Sequence, residues 1–361
     1  MTAGGQVRVA ALSAHGPTAP SFRVRVLIPR AELARRGVEV VPFPLLTEDE
    51  DRAFHGGGVI ERGRIVIGSR RRLARAVAEA PADTALIHRQ ADMLPVLGVE
   101  ASASKGRRLV LDVDDAVWVD NRREAGGHPL AFMKGTRRKL RWLAERADAV
   151  IAGNRVLADW LGQYSERVTV IPSLVEHRSS PVREHADTDV LHLGWIGSAT
   201  TAPYLEALSE PLAAAARALG DRRLRLTVMG GPTQAIRGVD SRAELWTEEG
   251  ERQLLARMDV GLMPLPDNEW TRGKCSYKAL QYMAAGIPVV ADDVGVSAEV
   301  VGHEQSGLVA KAPGDWTEAV TALARDAGLR ARLGARGRRR VKEGFSVERW
   351  APELAGILRG G

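Results

Sequence analysis

The stretch Met263–Gly295, MPLPDNEWTRGKCSYKALQYMAAGIPVVADDVG, decides the fold class of this chain. It starts at the end of an apolar run that predicts a buried strand, crosses a polar loop, and enters a segment that predicts a helix beginning near Cys275 or Ser276. Gly286 and the proline two residues later end that helix, because glycine favours a helix C-terminus and proline cannot continue one. Val289–Ala291 then predicts another strand. Strand, loop, helix and strand in this order indicate an α/β fold.

The same unit recurs along the whole chain, where short apolar runs alternate with helical stretches rich in Arg, Ala and Leu. In the first half the predicted strands are Val7–Leu12, Val38–Pro42, Ile65–Ile67, Ala85–His88, Leu109–Val113, Ala149–Ile151 and Val168–Ile171. In the second half they are Val190–Ile196, Leu224–Met229, Val260–Pro264, Val289–Ala291 and Leu308–Val309. The most evident helices are Ser21–Arg36, Arg70–Glu79 and Phe132–Arg146. This alternation predicts parallel sheets with helices on both faces.

Chain length and a polar interruption predict two domains. The 361 residues exceed one ordinary core, and the proline-containing, highly charged stretch at residues 172–188 is the best candidate for a linker. We therefore expect an N-terminal Rossmann-like domain at 1–171 and a C-terminal one at 189–345. Residues 346–361 predict a helix that packs back toward the N-terminal domain. In such folds ligands bind beyond the carboxyl ends of the strands, here in a central cleft that the two domains face.

Composition excludes several classes of protein. The 51 basic and 45 acidic residues give a net charge of +6, and a single cysteine, Cys275, excludes an internal disulfide and a cysteine-based zinc site. No apolar run is long enough to span a membrane, and the N-terminus does not read as a signal peptide, so we expect a cytoplasmic protein. Basic stretches at 68–79 and 134–146 predict solvated helix faces in preference to peripheral membrane contact. No motif indicates nucleic-acid binding.

The loop before the predicted helix carries the features of a phosphate site. Arg272 and Lys274 flank Gly273 immediately before a helix start. A helix N-terminus offers free backbone N–H groups and a partial positive charge, to which these side chains add full charges. The combination suits a diphosphate, although an ordinary solvated loop explains it equally well. Cys275 reads as a small residue close to the phosphate, because no Cys/His/Asn pattern indicates a nucleophile.

The segment Gly273–Met283, GKCSYKALQYM, resembles the donor-site segment of a bacterial branch of the retaining group 1 (family 4) glycosyltransferases. The resemblance covers most of the chain, and the motifs occur in the expected order. The other matching segments are Leu111–Ala116, Ile151–Asn154, Gly194–Ser198, Pro203–Leu205, Gly295–Val296, Glu299–Val301 and Ser306–Ala310.

This resemblance implies a GT-B fold, a nucleotide-diphosphate sugar donor held by the C-terminal domain, retention of anomeric configuration, and no required metal or cofactor. We predict catalytic roles for His88, Asp114, Asp115 and Lys274, and the resemblance aligns Asp114 with a position where many relatives carry a His that contacts the donor sugar. From the resemblance together with the helix-start argument, the residues that we predict to bind the donor are Gly16, Arg23, Gly197, Ser198, Arg272, Gly273, Lys274, Cys275, Ser276, Tyr277, Gln281, Gly295, Val296 and Glu299.

The chain departs from the family pattern at three places. The family's first glutamate, near the donor sugar, is replaced by Gly273, and its second, which grips the ribose, by Gln281. The usual Arg/Lys pair after the first strand of the C-terminal domain is absent, and Gly197 and Ser198 stand there. Our hypothesis is that Arg272 and Lys274 take over the diphosphate.

The first-domain candidates follow predicted strands. Asp114 and Asp115 end one strand, where carboxylates can orient sugar hydroxyls or accept a proton, although capping of the next helix is an alternative and metal binding a less favoured one. His88 ends a neighbouring strand and is also compatible with a structural role. Gly16 and one of two nearby arginines, Arg23 or Arg25, lie in or after the loop that follows the first strand.

Together these observations predict a glycosyltransferase that transfers a sugar from a UDP, GDP or dTDP sugar to a glycan, lipid or secondary metabolite. The alternatives are a nucleotide-sugar epimerase on the same fold and a degenerate member that binds donor or partner without catalysis. Neither the acceptor nor the oligomeric state can be read from the sequence.

Overall fold

The computed structural model describes residues 6–17, 19–119 and 135–361, which fall into two compact units. The first unit contains the described residues up to Leu174 together with Val347–Gly361, and the second contains Val175–Ser346. No helix in the described ranges is both long and apolar enough to cross a membrane.

The first unit is built on a six-stranded parallel sheet in the order β2-β1-β3-β4-β5-β6. Its strands are β1 (Val7–Ser13), β2 (Val38–Pro44), β3 (Thr84–His88), β4 (Arg108–Val113), β5 (Ala149–Ala152) and β6 (Val168–Val170). Its helices are α1 (Pro20–Phe22), α2 (Arg30–Arg35), α3 (Glu48–Gly56), α4 (Val59–Glu79), α5 (Gly98–Ser104), α6 (Thr136–Arg146) and α7 (Arg155–Leu161), and a π-helical turn occupies Arg23–Leu27.

The second unit repeats the plan with a six-stranded parallel sheet in the order β12-β11-β10-β7-β8-β9. Its strands are β7 (Val190–Ile196), β8 (Arg223–Met229), β9 (Val239–Glu244), β10 (Val260–Met263), β11 (Val289–Asp292) and β12 (Gly307–Ala310). Its helices are α8 (Ser209–Leu219), α9 (Glu248–Arg257), α10 (Glu269–Arg272), α11 (Tyr277–Ala284), α12 (Ser297–Val301), α13 (Pro313–Arg325) and α14 (Ala327–Gly344), with a 3₁₀ segment at Ala202–Leu208. The last helix of the chain, α15 (Val347–Arg359), belongs to the first unit.

Strand order places the loops that matter for ligand binding. In the second sheet β8 and β9 extend from β7 in one direction, and β10 to β12 extend from it in the other, so the order reverses between β7 and β10. In the first sheet the corresponding reversal lies between β1 and β3. In open parallel sheets ligands bind beyond the carboxyl ends of the strands at such a reversal.

Three local expectations differ from the structure, and one strand has no counterpart among the predicted elements. The strand expected at Ile65–Ile67 is wrong, because these residues lie inside α4, whose buried positions recur with helical spacing. The helix expected at Ser21–Arg36 is divided into α1, the π-helical turn and α2, with Pro29 before α2. The expected helix Phe132–Arg146 is α6 from Thr136 onward, and its first three residues lie outside the described residues. The edge strand β9 was not predicted, since its polar sequence VDSRAE has a largely exposed pattern.

Candidate functional site

Glycine-rich loops follow β7 and β8 and pack tightly on each other. A Cβ atom at Gly197 would lie 2.1 Å from the ring of Trp195, and one at Gly230 would lie 2.2 Å from the carbonyl oxygen of Gly197. The φ of Gly230 is +82°, in the left-handed region. Ser198 and Thr200 are exposed beyond Gly197, and their hydroxyl oxygens are 2.8 Å apart. This loop pair therefore presents backbone and hydroxyl groups at the carboxyl edge of the second sheet.

Two lysines lie close together beside this edge, each over a tryptophan ring. The Nζ of Lys278 is 4.6 Å from the centroid of Trp195, and the Nζ of Lys274 is 4.9 Å from that of Trp270. Both distances are in the range of cation–π attraction, which holds an ammonium group in place while leaving N–H donors for another partner. Sequence reasoning assigned Lys274 to the site but not Lys278, although a spacing of four residues was a signal that could have found it.

The pKa of Lys278 departs strongly from its ordinary value. Burial and, to a smaller extent, the positive charge of Lys274 together lower the pKa of Lys278 to about 7. Lys278 forms no ion pair with any of the described residues. An anion that binds between these ammonium groups relieves their mutual repulsion and favours the protonated form of Lys278.

Gln281, which stands where the family pattern has glutamate, holds a carboxylate that comes from another helix. Its Nε2 donates a hydrogen bond of 2.9 Å to Oε1 of Glu251 on α9. The Nε1 of Trp246 donates one of 2.7 Å to Oε2 of the same carboxylate. These two donors, one on each carboxylate oxygen, orient Glu251. Glu251 and Trp246 were not expected site residues, because no motif marks them.

The loop between α10 and α11 contacts the loop between β11 and α12. Ser276, in the left-handed region at φ +53°, precedes α11, and its Oγ lies 3.2 Å from that of Ser297. Gly295 has a φ of +61°, and a Cβ there would lie 2.3 Å from the carbonyl oxygen of Arg272. Cys275 is buried and is not part of a disulfide. Tyr277 opens α11 and is half-buried.

Arg272 is paired with an acidic side chain. The guanidinium of Arg272 forms two hydrogen bonds with the carboxylate of Asp267, at 2.6 and 2.9 Å, and both side chains are more than half exposed. Gly273 and Val296 are buried, and Glu299 is exposed on α12. The hypothesis that Arg272 and Lys274 share a diphosphate therefore has a rival in the neighbouring pair Lys274 and Lys278.

The first unit places a buried charged cluster at the carboxyl ends of β3 and β4. Arg25 forms hydrogen bonds with Asp112 and with the carbonyl oxygens of Ile171 and Pro172. Nδ1 of His88 is 2.8 Å from Oδ2 of Asp112. Burial acts to raise the pKa of Asp112, but the charge of Arg25 and the hydrogen bond to His88 hold it below its usual range. Of the two candidate arginines, Arg25 therefore reaches this cluster, whereas Arg23 is half-buried at the start of the π-helical turn.

Asp114 and Asp115 continue the cluster outward. Nε of Arg89 donates a 2.6 Å hydrogen bond to Asp114, and its Nη2 lies 3.7 Å from Asp115. Burial opposes ionisation of Asp114, but Arg89 and then His88 keep its pKa well below the ordinary value. Arg89 has a φ of +61°, a strained conformation that concentrates at functional sites.

His88 is fully buried, and its Nε2 has no hydrogen-bond partner among the described residues. Asp115 is half-buried and is therefore the acid of this cluster most accessible to a substrate. Gly16 lies in the loop after β1, where a Cβ would approach the carbonyl oxygen of Leu46 to 2.8 Å. No group of three His, Cys, Asp or Glu residues within the described ranges is arranged to hold a metal ion.

Comparisons with known proteins agree with this architecture. Residues 190–326, within the second unit, match the model of the family described as glycosyl transferases group 1. Comparison with curated proteins returns no match.

Solved structures share the fold over nearly the whole chain. Sucrose-phosphate synthase from Thermosynechococcus elongatus is 16% identical over 98% of both chains, with a TM-score of 0.72. HepE from Anabaena, in complex with UDP and glucose, is 15% identical over 98% of this chain and 99% of that chain, with a TM-score of 0.67. A glycosyltransferase from Rickettsia africae is 10% identical over 99% and 100% of the two chains, with a TM-score of 0.64. The predicted GT-B fold with two parallel-sheet domains is confirmed.

Proposed function

We propose that this chain is a group 1 glycosyltransferase that transfers a sugar from a nucleotide-diphosphate sugar to an acceptor hydroxyl. The observation that carries the proposal is the pair Lys274 and Lys278 at the carboxyl edge of the second sheet, each over a tryptophan ring. Two ammonium groups beside hydroxyl-bearing and glycine-rich loops suit a diphosphate, whose charge grows as the sugar leaves.

The remaining parts of a nucleotide site are consistent with this assignment. Acidic side chains bind ribose hydroxyls in many nucleotide-binding α/β folds, and Glu251 is held for such a role by Gln281 and Trp246. Gly197 and Ser198 supply uncharged donors in place of the missing Arg/Lys pair. HepE, which shares the fold, was solved with UDP and glucose, and the family match lies in the unit that contains these residues.

The proposed reaction proceeds with retention and without a required metal or cofactor. The bond between the anomeric carbon and the diphosphate oxygen breaks, and the acceptor oxygen bonds to the same face of that carbon. The acceptor proton passes to the departing diphosphate, which the lysines stabilise electrostatically. In the first unit Asp115, beside Arg89, is suited to orient acceptor hydroxyls, whereas buried His88 acts by positioning Asp112.

The first experiment is a thermal-shift screen of the purified protein against UDP, GDP, dTDP, ADP and their hexose conjugates, with and without EDTA. A ligand at 100 times its dissociation constant stabilises the folded state by about 2.7 kcal/mol. We expect one nucleotide to raise the melting temperature equally in both conditions. Absence of a shift with every nucleotide would favour a degenerate, non-catalytic member.

Lys274→Ala tests the charge assignment in the same assay and in sugar transfer. We expect turnover to fall by about 100-fold or more, the scale of losing a strong charge-stabilising contact. Lys105→Ala, which removes an exposed lysine from the first unit, is the control and should leave turnover unchanged. Turnover of donor without acceptor would instead indicate an epimerase, an alternative that the comparisons do not favour.

A further inference from the structure

A pocket of about 670 Å³ opens in the second unit along one side of α14. Its lining includes Ser306, Arg336, Arg339, Arg340, Glu343 and Phe345. Ser306 immediately precedes β12 and therefore lies at the amino edge of the sheet. The proposed donor residues follow the carboxyl ends of β7 and β10, so this pocket is a separate place in the fold.

Three arginines in the pocket lack acidic partners. Arg336, Arg339 and Arg340 form no ion pair with any carboxylate in the part of the chain that the structure describes. Nε and Nη2 of Arg340 donate to the carbonyl oxygens of Val300 and Glu299, at 2.9 and 2.5 Å. Nη1 of Arg336 makes only a long contact of 3.5 Å with the carbonyl oxygen of Glu304. Residues three and four apart on a helix are neighbours, so Arg336 repels Arg339 and Arg340. Glu343 lies at the same spacings from Arg339 and Arg340, and its single charge offsets this repulsion only in part.

Some other arginines of this unit have such partners. Arg183 pairs with Asp259 at 2.8 Å, and Arg332, one turn before the pocket on α14, pairs with Asp326 at 3.4 Å. What distinguishes the pocket is that three arginines without a carboxylate partner among the described residues line one cavity. Guanidinium groups match phosphate oxygens in geometry and charge.

The base of the pocket contains a polar group without a partner. Ser306 is 1% exposed, and its hydroxyl makes no hydrogen bond with any described residue. Buried polar groups are rarely left unpaired, because the loss of hydration is not offset. A Cβ at Gly337 would lie 3.4 Å from Cβ of Ser306, so α14 passes close to the serine.

The rest of the lining indicates which phosphate compound fits. The volume is within the range of small-molecule sites and far exceeds a single phosphate ion. Glu343 accepts hydrogen bonds from hydroxyls and repels ligands that carry only anionic groups, and half-buried Phe345 adds an apolar wall. We propose that this pocket binds a soluble phosphate ester that carries hydroxyl groups, such as a sugar phosphate, with its phosphate on Arg336, Arg339 and Arg340.

Isothermal titration tests this site independently of the proposed function. The probe is a hexose 6-phosphate, compared with the same hexose without phosphate and with vesicles containing phosphatidylglycerol. The protein carries Lys274→Ala, so that phosphate binding at the donor site is weakened. We expect the phosphate ester to bind, the free hexose not to bind, and the Arg336→Ala/Arg339→Ala double substitution to weaken binding by about 100-fold.

Arg332→Ala is the matched control, because it removes an exposed arginine of the same helix outside the pocket, and it should leave phosphate-ester binding unchanged. UDP binding, measured without Lys274→Ala, should be the same with and without the double substitution. Equal loss of phosphate-ester binding in the control and the double variant would overturn the proposal. The proposal would also be overturned if the hexose 6-phosphate did not bind to the protein that carries Lys274→Ala alone. Binding of that protein to the vesicles but not to the hexose 6-phosphate would overturn it as well.

Discussion

At the scale of single residues, Lys278 makes donor binding depend on pH. Burial and the charge of Lys274 lower its pKa to about 7, so in the free protein it loses its proton as the pH rises above 7. A bound diphosphate favours the protonated form, and its own second ionisation is nearly complete above pH 7. We expect UDP affinity to fall by up to about tenfold per unit between pH 7 and 9, measured by calorimetry.

Lys278→Arg is the sharpest comparison for this prediction, because arginine stays protonated throughout that range. Its UDP affinity should vary little between pH 7 and 9. An identical decline in the parent and in Lys278→Arg would assign the titration to another group.

The Gln281–Glu251 pair can be tested by exchanging its amide and its carboxylate between the two positions. Gln281→Glu alone places a second carboxylate next to Glu251, where the amide now donates at 2.9 Å, and like charges at that distance repel. We expect UDP affinity at pH 8 to fall by about tenfold or more. Adding Glu251→Gln restores one carboxylate and one amide and should recover most of the loss.

A second Gln–Glu pair on α9 is a matched control for this experiment. Gln253 donates to Glu249 at 2.9 Å in an exposed position, and Gln253→Glu should leave UDP affinity unchanged. If the double substitution binds UDP no better than Gln281→Glu alone, Glu251 does not carry the proposed role.

Residue roles were the least predictable part of the site. The string GKCSYK predicted a phosphate site around Lys274, but the position of Lys278 over Trp195 depends on β7, about 80 residues earlier in the chain. Glu251 lies in a helix with no motif, and it contacts Gln281 only because α9 and α11 are brought together by the fold. Local sequence carries no signal for such contacts between distant segments.

At the scale of elements, the sequence predicted the buried strands well, since continuous apolar runs such as β7 and β8 are typical of sheets covered on both faces. It failed where that signal is weak or ambiguous. Ile65–Ile67 is β-branched but lies in α4, where the helical spacing of buried residues outweighs strand propensity. The exposed edge strand β9 has no apolar alternation to reveal it.

The close approach of Gly295 to the backbone of Arg272 implies that the loop after β11 and the loop before α11 hold each other in place. Alanine there would have to adopt a φ of +61° and would place its Cβ 2.3 Å from the carbonyl oxygen of Arg272. We expect Gly295→Ala to lower the free energy of unfolding by ~2 kcal/mol or more, measured by urea titration, because strain and a backbone clash combine. UDP affinity should fall as well, since the loop before α11 must move.

Gly314→Ala is the control for this loop. A Cβ at Gly314 has nothing within 4 Å and its φ is not positive, so the substitution should change stability by less than ~0.5 kcal/mol. Parent-like stability and UDP affinity in Gly295→Ala would mean that the two loops are not coupled as proposed.

At the scale of the whole molecule, the C-terminal helix α15 stabilises the N-terminal strands of the first unit. Leu358 on α15 is fully buried and shares a core with Val9, Phe22 and Val38. The carbonyl oxygen of Leu358 also accepts a 2.9 Å hydrogen bond from Thr84 of β3. Removal of a buried leucine side chain costs ~2–5 kcal/mol, so Leu358→Ala should destabilise the first unit at places far from residue 358 in sequence.

Hydrogen exchange read by mass spectrometry distinguishes this effect from local fraying. We expect Leu358→Ala to accelerate exchange in β1, β2 and β3, while the strands of the second sheet keep the rates of the parent. Glu353→Ala, an exposed substitution on the same helix, should leave every strand unchanged. Acceleration confined to α15 would show that the helix only covers the first sheet, whereas acceleration in β1 to β3 would mean that the first unit cannot reach its full stability until the last residues of the chain are in place.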